Sequence, residues 1–465
     1  MEQSISDKKY KMMTESPVGP LVLKLAVPTV ISMLVTSLYN MVDTYFVGQL
    51  PVEAAGGVSV VFSLMGIINA LGFFFGHGSG NYISRELGKK NYEDSKKMAA
   101  TGFISAFIVG CFLAIIGLII RGPLCMALGS TETILPYAKS YMFWILIALP
   151  FMMSQLVLNN QLRFQGNAAY AMVGIVSGAI LNCGLDPLFI NTLNMGVAGA
   201  GLATAISQFV SFFLLFFGTM RKGNVHIKLS NFTPCKKYYL AILNGGSPSL
   251  ARQGFMALST VVFNFACHPF GDVAIAAFGI VSKIMNFAGA AMIGFGQGFQ
   301  PVCGFCYGAK KYDRVRSAFN FSVWLSTGVM IAVAIGLFIL AQPLTHAFNK
   351  SSEVVEIAYK ALRWHIVTLP LSAWVVMANM MFQTMGKALP ANFLAMSRQG
   401  IFMIPMCVIL PNFFALTGLM AAQTVSDVLA FSFAVPMIII ELNKLKKMQA
   451  ELNATSLVKE GTENA

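Results

Sequence analysis

Long apolar runs, separated by short polar breaks or breaks that contain Gly or Pro, follow one another along most of this chain. Runs such as 98–120, 199–220 and 319–341 each reach the ~20 residues that an α-helix needs to cross a hydrocarbon core. The pattern predicts an all-α integral membrane fold with twelve transmembrane helices, six in each half of the chain. The first six lie near 21–47, 56–83, 98–121, 136–160, 168–190 and 198–220, and the second six near 241–268, 273–307, 318–341, 356–384, 390–411 and 416–441.

The two halves repeat each other at a constant offset in the numbering, without gaps over much of their length. Trp144 corresponds to Trp364 and Pro28 to Pro248, and both residue types are too scarce here for chance coincidence. Other pairs at the same offset are Phe75/Phe295, Gly76/Gly296, Gly78/Gly298, Gly88/Gly308, Tyr92/Tyr312, Pro123/Pro343, Pro150/Pro370, Asn159/Asn379 and Gly166/Gly386. Because each half has an even number of spans, the repeat is parallel. We therefore expect two six-helix lobes, 21–220 and 241–441, around a central cavity, in a transporter that works by alternating access.

The composition agrees with a membrane protein, since 56% of the residues are hydrophobic, 11% are charged and the mean hydropathy is +0.68. A soluble domain carries about a quarter charged residues, so this chain cannot cover itself with a water-compatible surface. A soluble enzyme is thereby excluded. The net charge of +13 would suggest nucleic acid in a soluble protein. Here the basic residues lie in short loops between spans, where they set orientation, and no nucleic-acid partner is expected.

The distribution of lysine and arginine predicts the side of the membrane on which each loop lies. One set of segments holds 23 basic residues: the terminal segment 1–20, the linker 221–240, the tail 442–465 and the loops near 84–97, 161–167, 308–317 and 385–389. The opposite loops hold five, namely Arg121, Lys139, Lys350, Lys360 and Arg363. By the positive-inside rule, both termini face the cytosol. We expect an uncleaved first span in a multi-pass protein of a cell membrane, and favour a bacterial inner membrane.

Ionisable groups inside a bilayer are costly, so each acid within a span is a candidate functional residue. Asp43 and Asp186 each lie four residues from the outer end of their spans, or about 6 Å below it. Thr204 and Tyr141 reach similar depths, about 9 and 8 Å, and Asn182 lies one turn before Asp186 on the same face. Two carboxylates, an amide, a hydroxyl and a phenol therefore share one layer of the first lobe, which predicts a cation site.

We expect this site to bind H⁺ or Na⁺ and to need no cofactor or resident metal. Two nearby carboxylates in a low-dielectric lobe repel each other, so a bound positive charge is favoured. Both acids, Asn182, Thr204 and a backbone carbonyl such as that of Ala200 supply the hard oxygens that Na⁺ prefers. The alternative is that the acids merely face an outer vestibule, with Asp186 serving the helix break at Pro187.

The second lobe carries a different set of charges. Arg252, Lys283 and Arg398 lie well within their predicted spans, with Asp427 at comparable depth in the last one. We expect Asp427 to pair with one of the three, because an unpaired buried charge is expensive. That leaves a formal excess of two positive charges in this lobe, against two negative ones in the first. Either a structural network or an anchor for substrate would explain the excess.

Cysteine and histidine form no recognisable metal or redox site in the sequence. The eight cysteines are scattered, mostly within spans, so no disulfide framework is expected. Cys303 and Cys306 form a C-x-x-C pattern near the inner end of an apolar helix, but no second ligand pair lies nearby. The five histidines are dispersed along the chain.

Four stretches of this sequence resemble the multidrug and toxic compound extrusion (MATE) family. They are LAVPTVISMLVTSLYNMVDTYFVGQL (25–50), ISRELGKKNYEDSKK (83–97), NNQLRFQGN (159–167), and LNCGLDPLFI with MGVAGAGLATA (181–205). The resemblance is specific, because the proline and V-D-T of span 1 occur together with the N-x-x-x-D of span 5, and it covers all twelve spans. It implies two six-helix lobes around a V-shaped cavity, and drug efflux coupled to Na⁺ or H⁺.

The resemblance also implies roles for individual residues. In the family, the positions that match Asp43, Asn182, Asp186 and Thr204 bind the coupling ion, and the proline that matches Pro28 lets the first helix bend. Residues expected to face the substrate cavity are Tyr39, Tyr141 and Asn159, the last two of which match polar cavity positions of the family. The implied substrates are small amphipathic cations, carried by a monomer in contact with membrane lipid.

The sequence departs from some relatives, which use acids in spans 7 and 10 of the second lobe. Here span 7 (GGSPSLARQGFMALSTVVF) and span 10 (LSAWVVMANMMFQTMG) contain no acid. A cation site of that kind is therefore not expected in the second lobe, and the first lobe should carry the coupling.

Two other functions stay open at this point. A lipid-linked saccharide flippase of the same architecture would need a cationic cavity for pyrophosphate, which Arg252, Lys283 and Arg398 can supply. An intramembrane aspartyl protease needs two aspartates marked Y-D and G-x-G-D, whereas the contexts here are V-D-T and G-L-D-P. Neither H-E-x-x-H nor G-x-S-x-G occurs, nor does the D-R-x-G-R loop of major-facilitator transporters. An exporter and not an enzyme is expected, with H⁺ and Na⁺ equally open as the coupling ion.

Overall fold

The computed structural model describes residues 2–463, and the side chains of 7–455. Spans 1 to 6 are the helices Val18–Val47, Val52–Gly88, Tyr92–Ile119, Leu135–Phe164, Ala168–Pro187 and Gly196–Thr219. Spans 7 to 10 are Lys236–Cys267, Gly271–Gly308, Tyr312–Ile339 and the bent pair Ser352–Val367 and Leu369–Met385. Spans 11 and 12 occupy Ala388–Met396 and Met403–Glu463, and three short helices are Glu2–Glu15, Arg121–Ala127 and Ala341–Phe348.

The apolar helices account for the predicted spans. Nine described segments are long and apolar enough to cross a membrane, and the pair bent by 51° makes a tenth. Two of the nine, Lys236–Gly308 and Ala388–Thr455, are long enough to cross twice. The first is broken after Cys267, where Gly271 has φ +81°, and the second at Ala415, with φ +47°. The predicted all-α membrane fold is confirmed, and twelve spans agree with these breaks.

Several helices continue beyond their predicted ends. The helix predicted at 56–83 is Val52–Gly88, and the one predicted at 136–160 is Leu135–Phe164. Arg163 therefore lies in the last turn of span 4 and not in a loop. It is 1% exposed, and its Nη2 donates to Asn160 Oδ1 (2.6 Å) and lies 3.2 Å from His77 Nε2. The predicted polar tail 442–465 likewise continues the last helix as far as Glu463. The length of an apolar run indicates how much of a helix lies in the hydrocarbon core. Contacts with other parts of the protein can extend the helix beyond that run.

The repeat is visible in local structure. Spans 3 and 9, Tyr92–Ile119 and Tyr312–Ile339, begin and end at positions that the repeat makes equivalent. Asn159 donates to Ala171 O (2.9 Å), and its counterpart Asn379 donates to Ala391 O (2.6 Å). Each bond ties span 4 or 10 to the span that follows it. The offset read from the sequence therefore marks equivalent side-chain contacts.

The chain divides into two compact units. One comprises Val27–Leu250 with the chain up to Lys9, and the other comprises Tyr10–Ala26 with the chain from Ala251 onward. The predicted lobes, 21–220 and 241–441, follow the halves of the sequence. In the structure, the first part of span 1 belongs to the second unit, and the first part of span 7 to the first unit.

Candidate cation site

Five polar side chains from four spans are buried in the unit that contains Val27–Leu250. Their exposure is between 0 and 2%, and they are Asp43 of span 1, Tyr141 of span 4, Asn182 and Asp186 of span 5, and Thr204 of span 6. Fully buried Ala200 lies one turn before Thr204. The side chains predicted to share one layer are thus all removed from solvent.

Asn182 links the two helices that carry most of the site. With its amide nitrogen turned toward the carboxylate, Asn182 donates to Asp186 Oδ2 (3.0 Å), and its oxygen accepts from the Thr204 N–H (3.2 Å). The opposite amide orientation leaves only contacts of 3.5 Å to Asp186 and Thr204. The orientation with the nitrogen toward Asp186 therefore forms the better hydrogen bonds. Spans 5 and 6 are therefore joined at the level of the acid.

Asp43 supplies the least satisfied atom of the site. Its Oδ1 is buried and makes no hydrogen bond within the described part of the chain. The charges of Asp43 and Asp186 act on each other, and both act on the phenols of Tyr39 and Tyr141. A buried carboxylate oxygen without a donor is unfavourable, and a proton or a metal cation relieves this. The oxygens of two carboxylates, an amide and a hydroxyl fit Na⁺ by donor type.

The end of span 5 is irregular beside Asp186. Pro187 has no N–H, so the carbonyl of Cys183 cannot receive the regular helical hydrogen bond from that position. A π-turn, Leu188–Thr192, follows directly, and such turns often accompany functional sites. Asp186 itself bonds to Asn182 of its own helix, so its carboxylate takes part in the buried polar group beside this irregular end.

The residues predicted to face the cavity differ in their surroundings. Tyr39 is half-buried, one turn before Asp43. Tyr141 is fully buried, with its hydroxyl 3.9 Å from Met65 Sδ, and the amide of Asn159 is used in the bond to Ala171 O. Pro28 lies within the helix of span 1, at the point where the chain passes from one unit to the other.

Two neighbours of the site were not indicated by the sequence. They are Met65 of span 2, beside the Tyr141 hydroxyl, and Cys183, whose thiol is close enough to interact with both aspartates. Neither carries a charge, so an apolar run gives no signal that distinguishes them from lipid-facing residues.

Asp427 is the centre of a second buried polar cluster, in the other unit. Its Oδ1 accepts from Arg398 Nε (2.6 Å) and Gln423 Nε2 (2.8 Å), and its Oδ2 accepts from Thr368 Oγ1 (3.0 Å). Thr368 lies at the 51° bend of span 10, and Arg398 in the π-turn Ser397–Ile401 of span 11. The cluster therefore joins three spans at the irregular points of two of them.

Arg252 and Lys283, the other two basic residues predicted within spans of the second lobe, are not among the hydrogen-bond partners of Asp427. Arg252 Nη1 is 3.5 Å from Asn379 Oδ1, and the Lys283 side chain is exposed. Neither forms an ion pair with an acid among residues 7–455. In the same range no disulfide forms, and no group of three His, Cys, Asp or Glu could hold a metal ion.

Comparison with known proteins gives consistent matches over most of the chain. A family model described as MatE matches residues 28–188 and 248–409, together more than two thirds of the chain. The multidrug export protein MepA of Staphylococcus haemolyticus (strain JCSC1435) is 26% identical over 434 residues, which are 92% of this chain and 95% of that protein. MepA of Staphylococcus aureus (strain MSSA476) is 26% identical over 455 residues, covering 96% of this chain and 99% of its own.

The fold matches solved structures equally well. One of them is described as the outward-facing conformation of a multidrug resistance MATE family transporter of the MOP superfamily. It superposes on this chain with a TM-score of 0.90 at 25% sequence identity, covering 95% of this chain and 99% of that one. The two segments matched by the family model begin at Pro28 and Pro248, which are a matched pair of the internal repeat.

Proposed function

Because this chain belongs to the MatE family of membrane transporters, we propose that it exports several small amphipathic cations by alternating access, coupled to the influx of H⁺ or Na⁺. It is a transport protein and not an enzyme. The observation that carries the proposal is the buried pair Asp43 and Asp186, with Asn182 and Thr204 beside them and Asp43 Oδ1 without a donor. Such a group holds one small cation more favourably than none.

The coupling follows from charge. With both aspartates ionised, the unit is negative and favours a bound organic cation. A proton or Na⁺ that binds from outside cancels one of the two negative charges of Asp43 and Asp186, weakens that attraction and favours release of the substrate. If one proton exchanges for one monovalent drug cation, the cycle moves no net charge. The drive is then about 1.4 kcal/mol per pH unit, and the membrane potential contributes little.

The same proposal includes orientation and location. Both termini face the cytosol of a cell membrane, which the 23 basic residues on one side against five on the other support. The protein acts as a monomer and needs no cofactor besides the coupling ion.

A lipid-linked saccharide flippase is the less favoured function. The two MepA relatives are described as multidrug export proteins, and Asp427 neutralises Arg398, one of three basic residues that would have formed a pyrophosphate site. Arg252 and Lys283 alone give a weaker anion site.

Transport by purified protein in liposomes tests the proposal, with tetraphenylphosphonium as the probe. Asp43→Asn and Asp186→Asn remove one negative charge each at nearly constant volume, and we expect each to abolish uphill transport driven by a pH or Na⁺ gradient. Asp272→Asn is the matched control, because Asp272 is exposed at the start of span 8. Full gradient-driven transport by both site variants, at wild-type incorporation, would contradict the proposal.

A further inference from the structure

One carboxylate connects the start of span 7 to spans 2 and 3, within the unit that contains Val27–Leu250. Asp94, in the first turn of span 3, accepts hydrogen bonds from Lys237 Nζ, from Tyr238 Oη (3.0 Å) and from Tyr82 Oη (3.2 Å). Lys237 and Tyr238 belong to the first turn of span 7, and Tyr82 to span 2. The Asp94 side chain is 19% exposed. Three elements thus meet at a single charged group.

The chain just before span 1 is held in a comparable way by the start of span 9, within the other unit. Arg314, in the first turn of span 9, is the repeat counterpart of Asp94, and its Nη2 donates to Ser16 O (2.5 Å). Lys311 adds a bond to Thr14 O (3.2 Å) and lies 3.9 Å from the Glu15 carboxylate. The position in the repeat is the same, but the charge is reversed.

Glycines bring both half-spans close to their partners. A Cβ on Gly78 of span 2 would lie 2.4 Å from Ile242 O of span 7, and one on Gly298 of span 8 would lie 2.2 Å from Ala26 Cα of span 1. Gly78 and Gly298 are themselves a matched pair of the repeat. The first parts of spans 1 and 7 are therefore docked backbone to backbone, each in the same exchanged segment as its polar anchor.

These are the two segments that the units exchange. Tyr10–Ala26 belongs to the unit formed mainly by the second half of the chain, and span 7 up to Leu250 belongs to the unit formed mainly by the first. Each unit therefore holds a piece of helix whose continuation belongs to the other. Any movement of one unit against the other must act on these segments through the chain itself.

We propose that Asp94 and Arg314 are positioning residues for transport, which hold the exchanged parts of spans 7 and 1 in place and release them during the conformational cycle. The inference rests on the transport cycle of the proposed function, but its labelling test uses neither the coupling ion nor the substrate, so the two can fail separately. Neighbouring ion pairs lack this geometry. Glu93 pairs with Lys96 and Arg316 with Asp313, each three residues apart on one helix. Neither pair therefore connects one span to another.

Those neighbours provide matched controls for a labelling experiment in a cysteine-free background. Ile242→Cys and Val22→Cys report on the two docked segments, since Ile242 is 1% and Val22 0% exposed. We expect Asp94→Asn to raise the maleimide labelling rate at position 242 about tenfold, which corresponds to about 1.4 kcal/mol, and Glu93→Gln to leave it unchanged. Likewise, Arg314→Gln should raise labelling at position 22, whereas Arg316→Gln should not.

Two further variants keep the outcome decisive. Lys237→Gln breaks the same ion pair from the other side and should reproduce the effect of Asp94→Asn, while Asp94→Glu keeps the charge and should restore slow labelling. Equal labelling in Asp94→Asn and Glu93→Gln overturns the proposal. So does faster labelling that appears only together with a lower melting temperature, because that pattern indicates general loosening and not release of a docked segment.

Discussion

At the scale of single residues, the environment of Asp427 leads us to expect a structural role for this buried carboxylate. It accepts from Arg398, Gln423 and Thr368, which lie on three different spans or at their bends. All of its bonds are to side chains of its own unit. Its charge is therefore balanced locally, unlike that of Asp43, whose Oδ1 has no hydrogen-bond donor in the described part of the chain.

Replacement of Asp427 by asparagine should destabilise the protein. It leaves the Arg398 guanidinium without its carboxylate, a loss of about 3–5 kcal/mol when a pair is fully buried. Because the Arg398 side chain is 20% exposed, we expect about 2–3 kcal/mol. Thermal unfolding of the purified variant measures this, with exposed Asp272→Asn as the reference. A variant that melts like the wild type but no longer transports would instead give Asp427 a direct part in coupling.

The residues that sequence reasoning could find are those whose charge is anomalous in an apolar run. Asp43 and Asp186 stand out in this way, and Asn182 and Thr204 follow from helical geometry and depth. The sequence could not identify which basic residue pairs with Asp427, because three of them lie at similar predicted depth. Arg163 was predicted to lie in a loop, because a charge near the end of an apolar run usually marks the end of the span. In the structure it is buried in a helix that continues past the apolar run.

At the scale of helices, irregularities mark both polar clusters. The break beside Asp186 was predictable, since Pro187 removes a donor. The π-turn Ser397–Ile401 has no such signal, because its sequence SRQGI contains no proline and only one glycine. Its arginine reaches Asp427 from that turn. Tertiary contacts decide this geometry, and local sequence does not record them.

At the scale of the whole molecule, the repeat was predictable and the exchange of half-spans was not. Matched glycines, prolines and tryptophans define a single offset between the two halves. The first parts of spans 1 and 7 could belong to the unit formed by their own half of the chain or to the unit formed by the other half. The offset is the same in both arrangements, because the matched residues do not change. Docking contacts such as those of Asp94 and Arg314 decide between them.

The orientation of the molecule can be tested with two single cysteines. Glu93, on the side of the basic loops, and Thr131, on the opposite side, are both exposed, so each should react with a maleimide that reaches it. In intact cells we expect an impermeant maleimide to label Thr131→Cys and not Glu93→Cys, as the excess of basic residues requires. The reverse pattern would mean that both termini lie outside.

Competition between the coupling ion and the substrate is the most direct measure of the buried pair Asp43 and Asp186. By linkage, if one neutralises the charge that attracts the other, each must weaken the other's binding by the same factor. Tetraphenylphosphonium affinity of the purified protein can be measured from mildly acidic to mildly alkaline pH, with and without Na⁺. We expect affinity to fall with added protons or Na⁺ in the wild type, and to be weak and independent of both in the Asp43→Asn, Asp186→Asn double variant. An affinity that ignores pH and Na⁺ in the wild type, or is unchanged in the double variant, would contradict the account.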